Sequence, residues 1–284
     1  MKPGLLFITA ILLAFSFYSC QTEIMESPPE APPTDSTTAK RLIKMVEFAP
    51  ASNDSSITNF SWDAANRVTE ITVSGTLNLL DTELDIKFNR LGDGKINSVF
   101  IRSNSPGNLV DSVVGKVNYV QATKRLLNLK FITYHAFGNT FDSATFTYNA
   151  AGQVVLKESF QKDTVAYHRT FKQEFFYDVN GNMVQYKEYL HDGQNYNLNF
   201  VTNYTYGTHK TSLKFEEESF IIMGPHTLSP NNLIKDETVY VQGATLSWIV
   251  SDFLFNDSDQ PTYEKQIQLP TPPGFTILRT YFYQ

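Results

Sequence analysis

The chain has 284 residues and a formal net charge of −6 at pH 7, and its basic residues are not clustered. Nucleic acids and anionic membrane surfaces bind through clustered Lys and Arg, so both are disfavoured as partners. Hydrophobic residues make up 42% of the chain and aromatic residues 14%, which is enough for a packed core and excludes global disorder.

The chain begins with a segment typical of a secreted protein. Lys2 precedes an uncharged apolar run over residues 4–19, which is shorter than the roughly 20 residues of a membrane-spanning helix. The stretch Phe17-Tyr18-Ser19-Cys20 resembles the lipobox of bacterial lipoproteins. This resemblance implies that residues 1–19 are a lipoprotein signal peptide and that Cys20, the only cysteine, is lipidated. An uncleaved anchor and a buried free thiol are the alternatives.

Residues 20–40 are predicted to be a tether behind the lipidated cysteine, because they contain four prolines among Ser, Thr and Glu and little that could be buried. Glu23 and Glu26 resemble the acidic export signal of surface-exposed lipoproteins in Bacteroidota. The predicted location is therefore the outer membrane, with the protein held through its lipid and exposed at the cell surface, or else facing the periplasm.

Residues 41–284 are predicted to be a single β-domain built from a repeated phrase. The phrase is an aromatic residue, any residue, a second aromatic residue, Asp or Asn, two further residues, and Gly, Asn or Asp. Its best copy is Phe175-Phe-Tyr177-Asp178-Val-Asn-Gly181. The second aromatic residue serves as a marker; the markers are Trp62, Phe88, Tyr119, Tyr148, Tyr177, Tyr206, Phe255 and Tyr283.

Four of the markers, from Tyr119 to Tyr206, are 29 residues apart. Aromatic residues two positions apart share one face of a strand, and the Asx and Gly that follow suit a hairpin turn. Each copy is thus a two-stranded unit that needs neighbours, and eight copies make roughly 14 to 17 strands. The predicted fold is all-β: an extended antiparallel meander curled into an open half-barrel or loose sandwich.

The phrase resembles the YD repeats of Rhs-type proteins, most closely at Tyr177, Asp178 and Gly181. Together with the lipobox and the tether, it is similar to uncharacterised repeat lipoproteins of the Bacteroidota cell envelope. The resemblance implies architecture and location, and no activity.

Catalytic motifs are missing from the sequence. It contains no GxSxG, P-loop, GxGxxG or HExxH motif, and its histidines are His135, His168, His191, His209 and His226, none close to another. We therefore predict that the protein is not an enzyme and that it has neither a metal nor a cofactor. Glu158, Glu188 and Glu217 could form a glycosidase pair only if strands brought them together, which makes a carboxylate-dependent glycan hydrolase the least favoured alternative.

Aromatic side chains are the candidate binding residues, because their faces stack on sugar rings. The candidate ligand platform consists of Trp62, Tyr148, Tyr177, Tyr206 and Trp248. The competing interpretation is an internal aromatic ladder of the repeat. The sequence as a whole favours a non-catalytic, lipid-anchored envelope protein that presents a β-repeat scaffold to a glycan or an envelope protein. A carrier of a lipid or another apolar ligand is the alternative.

Overall fold

The computed structural model describes residues 40–77, 80–104, 110–135, 138–162, 166–211, 215, 217–270 and 275–284. They form one antiparallel sheet whose strands follow each other in chain order. The strands are β1 (Leu42–Ala49), β2 (Asp54–Trp62), β3 (Val68–Leu77), β4 (Leu80–Arg90), β5 (Ile96–Ser103), β6 (Val110–Tyr119), β7 (Leu126–His135), β8 (Gly138–Tyr148), β9 (Val154–Lys162), β10 (Tyr167–Tyr177), β11 (Met183–His191), β12 (Tyr196–Lys210), β13 (Asn231–Tyr240), β14 (Thr245–Phe255), β15 (Pro261–Leu269) and β16 (Thr276–Tyr283).

The sheet closes because β16 pairs with β1, in a register that places Arg279 opposite Glu47. Beyond the two strands, Arg41 and Gln284 exchange both backbone hydrogen bonds at 2.9 Å. The predicted all-β antiparallel meander is confirmed. The predicted open half-barrel or loose sandwich is wrong, because an open sheet would leave β1 and β16 as unpaired edges and their mutual pairing removes both.

The two ends of the barrel differ. At one end, which we call the base, each even-numbered strand turns into the next odd-numbered strand, and both Lys40 and Gln284 lie there. At the other end, which we call the mouth, the odd-numbered strands finish. Between β12 and β13, the described residues 217–230 include a π-helical turn at Ser219–Met223 and a 3₁₀ turn at Pro225–Leu228.

Most base turns share the chemistry predicted from the repeat. In the turn after β10, the Gly181 N–H donates to the Asp178 carbonyl, and one Asp178 carboxylate oxygen accepts the N–H groups of Asn180 and Asn182. Gly181 has a φ of +83°, a left-handed conformation that glycine adopts without a Cβ penalty. The equivalent residues with positive φ are Asn66, Gly94, Lys124, Gly152 and Asp259.

A β-bulge lies at the base of most hairpins, with its extra residue near the start of the odd-numbered strand, opposite the marker of the even-numbered strand. In β10, for example, the register shifts between Phe176 and Tyr177. The same shift occurs in β2, β4, β6, β8, β12 and β14, directly before Trp62, Arg90, Tyr119, Tyr148, Tyr206 and Phe255. The marker and the aromatic residue two positions earlier both face the interior, as Phe175 and Tyr177 do on either side of the exposed Phe176.

The inner face of the sheet carries the apolar core. In β2 the alternate residues Ser56, Thr58 and Phe60 are buried, whereas the residues between them are more exposed. The side chains with at most 1% exposure include Val68, Ile71, Ile86, Ile96, Val99, Leu129 and Met183. Burying each such aliphatic side chain contributes about 1.5–3 kcal/mol, so the inner face from β3 to β11 supplies much of the stability.

The outer face carries charged side chains among exposed apolar ones such as Phe141, Phe176 and Phe282. On β3 and β4 the residues that alternate with Ile71 and Ile86 include Glu70 and Lys87, which form an ion pair at 3.1 Å, and Glu83 beside them is exposed. Further outward ion pairs lie around the circumference: Lys172 with Glu174 at 2.9 Å, Lys235 with Glu237 at 2.8 Å, and Lys265 with Asp252 at 4.0 Å. The charged positions therefore face away from the lumen on several sides of the barrel.

Candidate functional site in the barrel lumen

Residues 215 and 217–230, which we call the basal strap, lie across the base of the lumen. The Phe215 ring stacks on Phe60 of β2 with centroids 6.2 Å apart. Phe220 packs edge-on against Phe146 of β8 at 5.5 Å and against Phe175 of β10 at 5.7 Å. Because the strap starts and ends at β12 and β13, these contacts carry it across to the facing walls and fill the base of the lumen with aromatic rings.

Two carboxylates of the basal strap are tied to the wall. Glu217 accepts hydrogen bonds from Lys95 and from the Tyr119 hydroxyl, the latter at 2.6 Å, and burial together with Glu217 raises the pKa of Tyr119. Glu218 pairs with Arg90, and both of these side chains are only 10% exposed. A buried carboxylate is costly unless it is paired, so these contacts fix the position of the strap.

A ring of side-chain donors surrounds the strap at the base. The marker at the end of an even-numbered strand donates to the backbone carbonyl of the first residue of the preceding strand, as Tyr177 does to Val154 at 3.0 Å. The equivalent bonds run from Trp62 to Leu42, Tyr119 to Ile96, Tyr148 to Leu126, Tyr206 to Met183 and Tyr283 to Pro261. The ring satisfies base carbonyls that lie among apolar side chains.

The β3–β4 pair uses arginine for the same purpose. Arg90 is the last residue of β4, and its Nη2 donates to the Val68 carbonyl at 2.7 Å. The marker assigned from the sequence, Phe88, lies two residues earlier and is a buried core residue. The sequence analysis did not identify Arg90, because the repeat was defined by aromatic residues. Its distance of 29 residues from Tyr119, which equals the repeat spacing, was the available signal.

An ionic cluster lies on the inner face of β1, β15 and β16. Arg279 donates from Nε to Glu47 at 2.6 Å and from Nη1 to Glu264 at 2.8 Å. Gln266 donates to Glu264 at 3.1 Å. Burial opposes the charge of the guanidinium, but Glu47 and Glu264 outweigh that effect and raise the pKa of Arg279. The cluster is held together by its own hydrogen bonds and leaves one negative charge in excess.

A second polar group lies across the lumen on β9 to β12. Glu188 is 6% exposed and accepts hydrogen bonds from the Tyr186 hydroxyl at 2.8 Å and from Gln173 and Asn199 at 3.2 and 3.1 Å. Lys157 lies near it, and burial lowers the pKa of this lysine to about 8, although Glu188 acts in the opposite direction. The middle of the lumen is therefore charged, whereas its base combines apolar side chains with the ion pairs of Glu217 and Glu218.

Nearer the mouth, polar side chains of β7, β8 and β9 share the inner face. Thr133 is fully buried and its hydroxyl oxygen has no hydrogen-bond partner among the described residues; the same holds for the buried Oδ2 of Asp142. The other oxygen of Asp142 accepts a hydrogen bond from Gln161 at 3.3 Å. Burial raises the pKa of Asp142, since nearby His135 and the Gln161 hydrogen bond only partly offset it.

The residues of the predicted ligand platform lie apart. Trp62, Tyr148, Tyr177 and Tyr206 belong to the donor ring at the base, with their polar atoms bonded to backbone carbonyls. Trp248 is on β14 and packs edge-on against Phe275 at 5.5 Å. The structure therefore distributes these residues around the barrel, as an internal ladder would. Cys20 and the signal and tether segments up to residue 39 lie outside the described residues, and their roles stay predictions.

The candidate carboxylates do not converge. Glu158 faces outward and meets the Tyr196 hydroxyl at 3.2 Å, Glu188 faces the lumen, and Glu217 belongs to the strap. Within the part of the chain that the structure describes, no three His, Cys, Asp or Glu side chains are grouped to hold a metal. The absence of an enzymatic activity stays a prediction.

No family model matches the chain, and no curated protein matches it either. Two solved structures are similar over nearly the whole barrel. A porin-like protein from Bacteroides uniformis ATCC 8492 has a TM-score of 0.54 at 9% identity, covering 88% of this chain and 99% of that chain. A porin-like protein from Bacteroides vulgatus ATCC 8482 has a TM-score of 0.52 at 8% identity, covering 87% and 99%. The fold is that of a porin-like barrel.

The comparisons correct two predictions. The resemblance to YD-repeat lipoproteins is wrong, because the similar structures are porin-like and no family model for such repeats matches. The function predicted from it, a lipid-anchored scaffold for a glycan or an envelope protein, is wrong as well, because the sheet closes and has no open concave face to present. Neither the apolar-ligand carrier nor the glycan hydrolase fits, since the middle of the lumen is charged and the candidate carboxylates lie apart.

In the described part of the chain, no helix combines the length and the apolar composition that crossing a membrane requires.

Proposed function

We propose that this protein is a solute-binding barrel of the bacterial envelope, which stands in water at the outer membrane and admits a small polar molecule through its mouth. The observation that carries the proposal is the wall of the barrel: charged side chains lie on several sides of its outer face, and buried side chains close the lumen at its base. The outer-membrane location agrees with the porin-like proteins of Bacteroides that share the fold.

The polarity of the wall argues against burial in lipid. A barrel that spans a membrane has an outward apolar band about 25 Å tall and a polar interior, and an outward Lys or Arg at mid-membrane costs roughly 2–4 kcal/mol. Here Glu70, Glu83 and Lys87 face outward, whereas Ile71 and Ile86 fill the inside. With ion pairs on several sides of the barrel, the outer face favours water as its surroundings.

The base argues against a continuous pore. The first residues of the odd-numbered strands, which line the lumen at the base, are almost fully buried: Val68, Ile96, Leu126, Val154 and Met183 are at most 4% exposed. The basal strap packs over this level. Near the mouth, by contrast, His168 is exposed although it pairs with Gln161 on the inner face, and Leu190 is 41% exposed. The lumen thus favours entry from one end only.

A porin-type channel is the second candidate, and the closed barrel of 16 strands and its porin-like neighbours favour it. The two candidates differ in how they treat lipid. A channel must be integrated into a bilayer and conduct ions, whereas a solute-binding barrel in water does neither.

The test uses residues 20–284 carrying Cys20→Ser, so that neither the apolar run at residues 4–19 nor the predicted lipid affects partitioning. We expect this variant to enter the aqueous phase of a detergent phase separation, to stay monodisperse without detergent and to give no conductance steps in planar bilayers. We also expect at least one compound from a panel of small amines, amino acids and organic acids to raise its unfolding temperature saturably.

Partition into the detergent phase together with conductance steps would establish the channel and overturn the proposal. A protein that stays in water but binds nothing in the panel would overturn the binding role. Substituting the inward Gln268 by Leu should leave both partition and conductance unchanged, which provides a control for changes of the lumen alone.

A further inference from the structure

Two buried oxygen atoms near the mouth are the starting point. The Thr133 hydroxyl and the Oδ2 atom of Asp142 are both enclosed and both lack a hydrogen-bond partner among the described residues. A polar atom buried without a partner costs about 1–3 kcal/mol, and more when it carries charge. Two such atoms on neighbouring strands therefore call for a ligand with hydrogen-bond donors.

The register places the two side chains close together. Thr133 of β7 is opposite Thr140 of β8, and Asp142 is opposite Phe131, so Thr133 and Asp142 are diagonal neighbours on the inner face. Diagonal neighbours in an antiparallel pair are about 7–8 Å apart, a distance that one small group between them can span. On the other side of Asp142, Gln161 of β9 is directly opposite and holds the Oδ1 atom by its amide.

The site holds one carboxyl group and no Lys or Arg partner among the described residues. Asp142 forms no ion pair with a Lys or Arg of the described residues, and the basic group that acts on its carboxylate is His135, whose ring Nε2 is 3.3 Å from the Thr140 hydroxyl. Acceptor oxygens at Asp142 and Thr133, without a matching cation, fit a ligand that is both positively charged and rich in N–H donors.

We propose that Thr133, Asp142 and Gln161 form a binding site for a small protonated primary amine. In this mouth site the ammonium group lies between the Thr133 hydroxyl and the Oδ2 atom of Asp142, and Gln161 orients the carboxylate. Charge-assisted hydrogen bonds of this kind are roughly twice as strong as neutral ones. The inference rests on the proposed function, because the amine must enter from water through the mouth.

A divalent metal fits less well. Calcium takes six to eight oxygen ligands, and magnesium needs near-ideal octahedral geometry. The mouth site offers one carboxylate, and no cluster of three potential ligands of the His, Cys, Asp or Glu type exists among the described residues. A single carboxylate beside a hydroxyl and an amide is better suited to an ammonium ion with three N–H donors.

The test measures the unfolding temperature of the same Cys20→Ser protein, residues 20–284, with increasing methylammonium chloride at constant ionic strength. Tetramethylammonium, which has no N–H donor, and potassium chloride are run in parallel. We expect saturable stabilisation by methylammonium only. Asp142→Asn should weaken this binding at least tenfold and Thr133→Val several-fold. The control Asp252→Asn changes an outward, exposed carboxylate and should bind like the parent.

A second readout guards against a variant that fails to fold. Without amine, Asp142→Asn should unfold at a higher temperature than the parent, because a neutral amide replaces a buried, unpaired carboxylate. The inference is overturned if Asp142→Asn binds methylammonium as tightly as the parent, or if potassium or tetramethylammonium stabilises equally. If no amine binds but another compound of the panel does, the inference falls and the solute-binding function stands; partition into detergent would remove the function itself.

Discussion

The Tyr177 hydroxyl at the end of β10 donates a 3.0 Å hydrogen bond to the carbonyl of Val154 at the start of β9. The two residues are 23 apart in the chain, so local sequence does not predict that they form a hydrogen bond. Burial raises the pKa of Tyr177, so the phenol stays a donor across the physiological range. The base of the barrel is therefore held by side chains as well as by the backbone ladder.

Tyr177→Phe should lower the free energy of unfolding by about 1 kcal/mol, because it removes one hydrogen bond and leaves the Val154 carbonyl without its donor. Chemical denaturation at pH 7 measures the loss. Tyr167→Phe is the matched control, since Tyr167 is 46% exposed at the mouth, and it should change stability by less than about 0.3 kcal/mol. Equal effects of the two variants would contradict a structural role for the donor ring.

The base turns can be tested with one residue in each of two copies. Gly181→Ala should destabilise by about 1–2 kcal/mol, because it forces a Cβ into the left-handed conformation at φ +83°. Asn66→Gly, at the equivalent position with φ +62°, should stay within about 0.5 kcal/mol of the parent. Thermal unfolding of both variants gives the comparison, and a harmless Gly181→Ala would show that the turn is not held in that conformation.

Phe220 in the basal strap packs against Phe146 and Phe175 on the facing wall. Phe220→Ala should cost about 3 kcal/mol, through lost burial and the cavity left among the rings. Phe141→Ala removes a phenyl ring from the outer face, where Phe141 is 38% exposed, and should cost less than about 1 kcal/mol. Denaturant titration of the two variants checks both values; similar small losses would mean that the strap does not contribute to the core.

Acid should lower the stability that His226 contributes in the basal strap and raise the stability that Asp236 contributes in the wall. Burial, assisted by Arg279, lowers the pKa of His226 in the strap to about 4, from an ordinary value of 6.5. The unfolded chain therefore binds the proton first, and the stability contributed by neutral His226 is lost as the pH falls from 6.5 towards 4. Burial raises the pKa of Asp236 to about 6, although Arg279 and the Trp248 backbone oppose this, so the native state binds that proton first and gains stability as the pH falls from 6 to 3.8.

His226→Gln should accordingly lose less stability on acidification than the parent, and Asp236→Asn should lose more. The difference in unfolding free energy between pH 7 and pH 4.5 is measured for each variant and is expected to shift by on the order of 1 kcal/mol. His168→Gln, at the exposed mouth, should follow the parent curve. A shift of both variants in the same direction would contradict the assigned environments.

Much of the architecture follows from the local sequence. Aromatic residues two apart, followed by Asx and Gly, predict the hairpins correctly because the bulge opposite Tyr177 and the turn at Asp178 to Gly181 depend only on neighbouring residues. The closure is different in kind: β1 and β16 are at opposite ends of the chain, and their pairing is decided by the number and stagger of the strands between them. No residue of β1 or β16 predicts that these two strands pair.

The contacts of the basal strap and of the mouth site also depend on residues that are far apart in the chain. Local sequence does not predict the ion pairs of Glu217 and Glu218, because their partners Lys95 and Arg90 lie more than 120 residues away in the chain. Asp142 could have been noticed, because it shares strand parity with Ala144 and Phe146 and must therefore face inward with them. Its unpartnered oxygen depends on β7 and β9, which only the folded sheet brings alongside.

The hydrogen bonds between Arg41 and Gln284 mean that the barrel can close only late in synthesis. The first strand finds its permanent neighbour only after the final residues have left the ribosome, so a nascent or truncated chain carries two open flanks throughout elongation. Premature termination before residue 276 would leave β1 ready to pair with other chains. Joining Arg41 to Gln284 with a short linker and cutting instead at an exposed turn should preserve the barrel, since these two residues already meet.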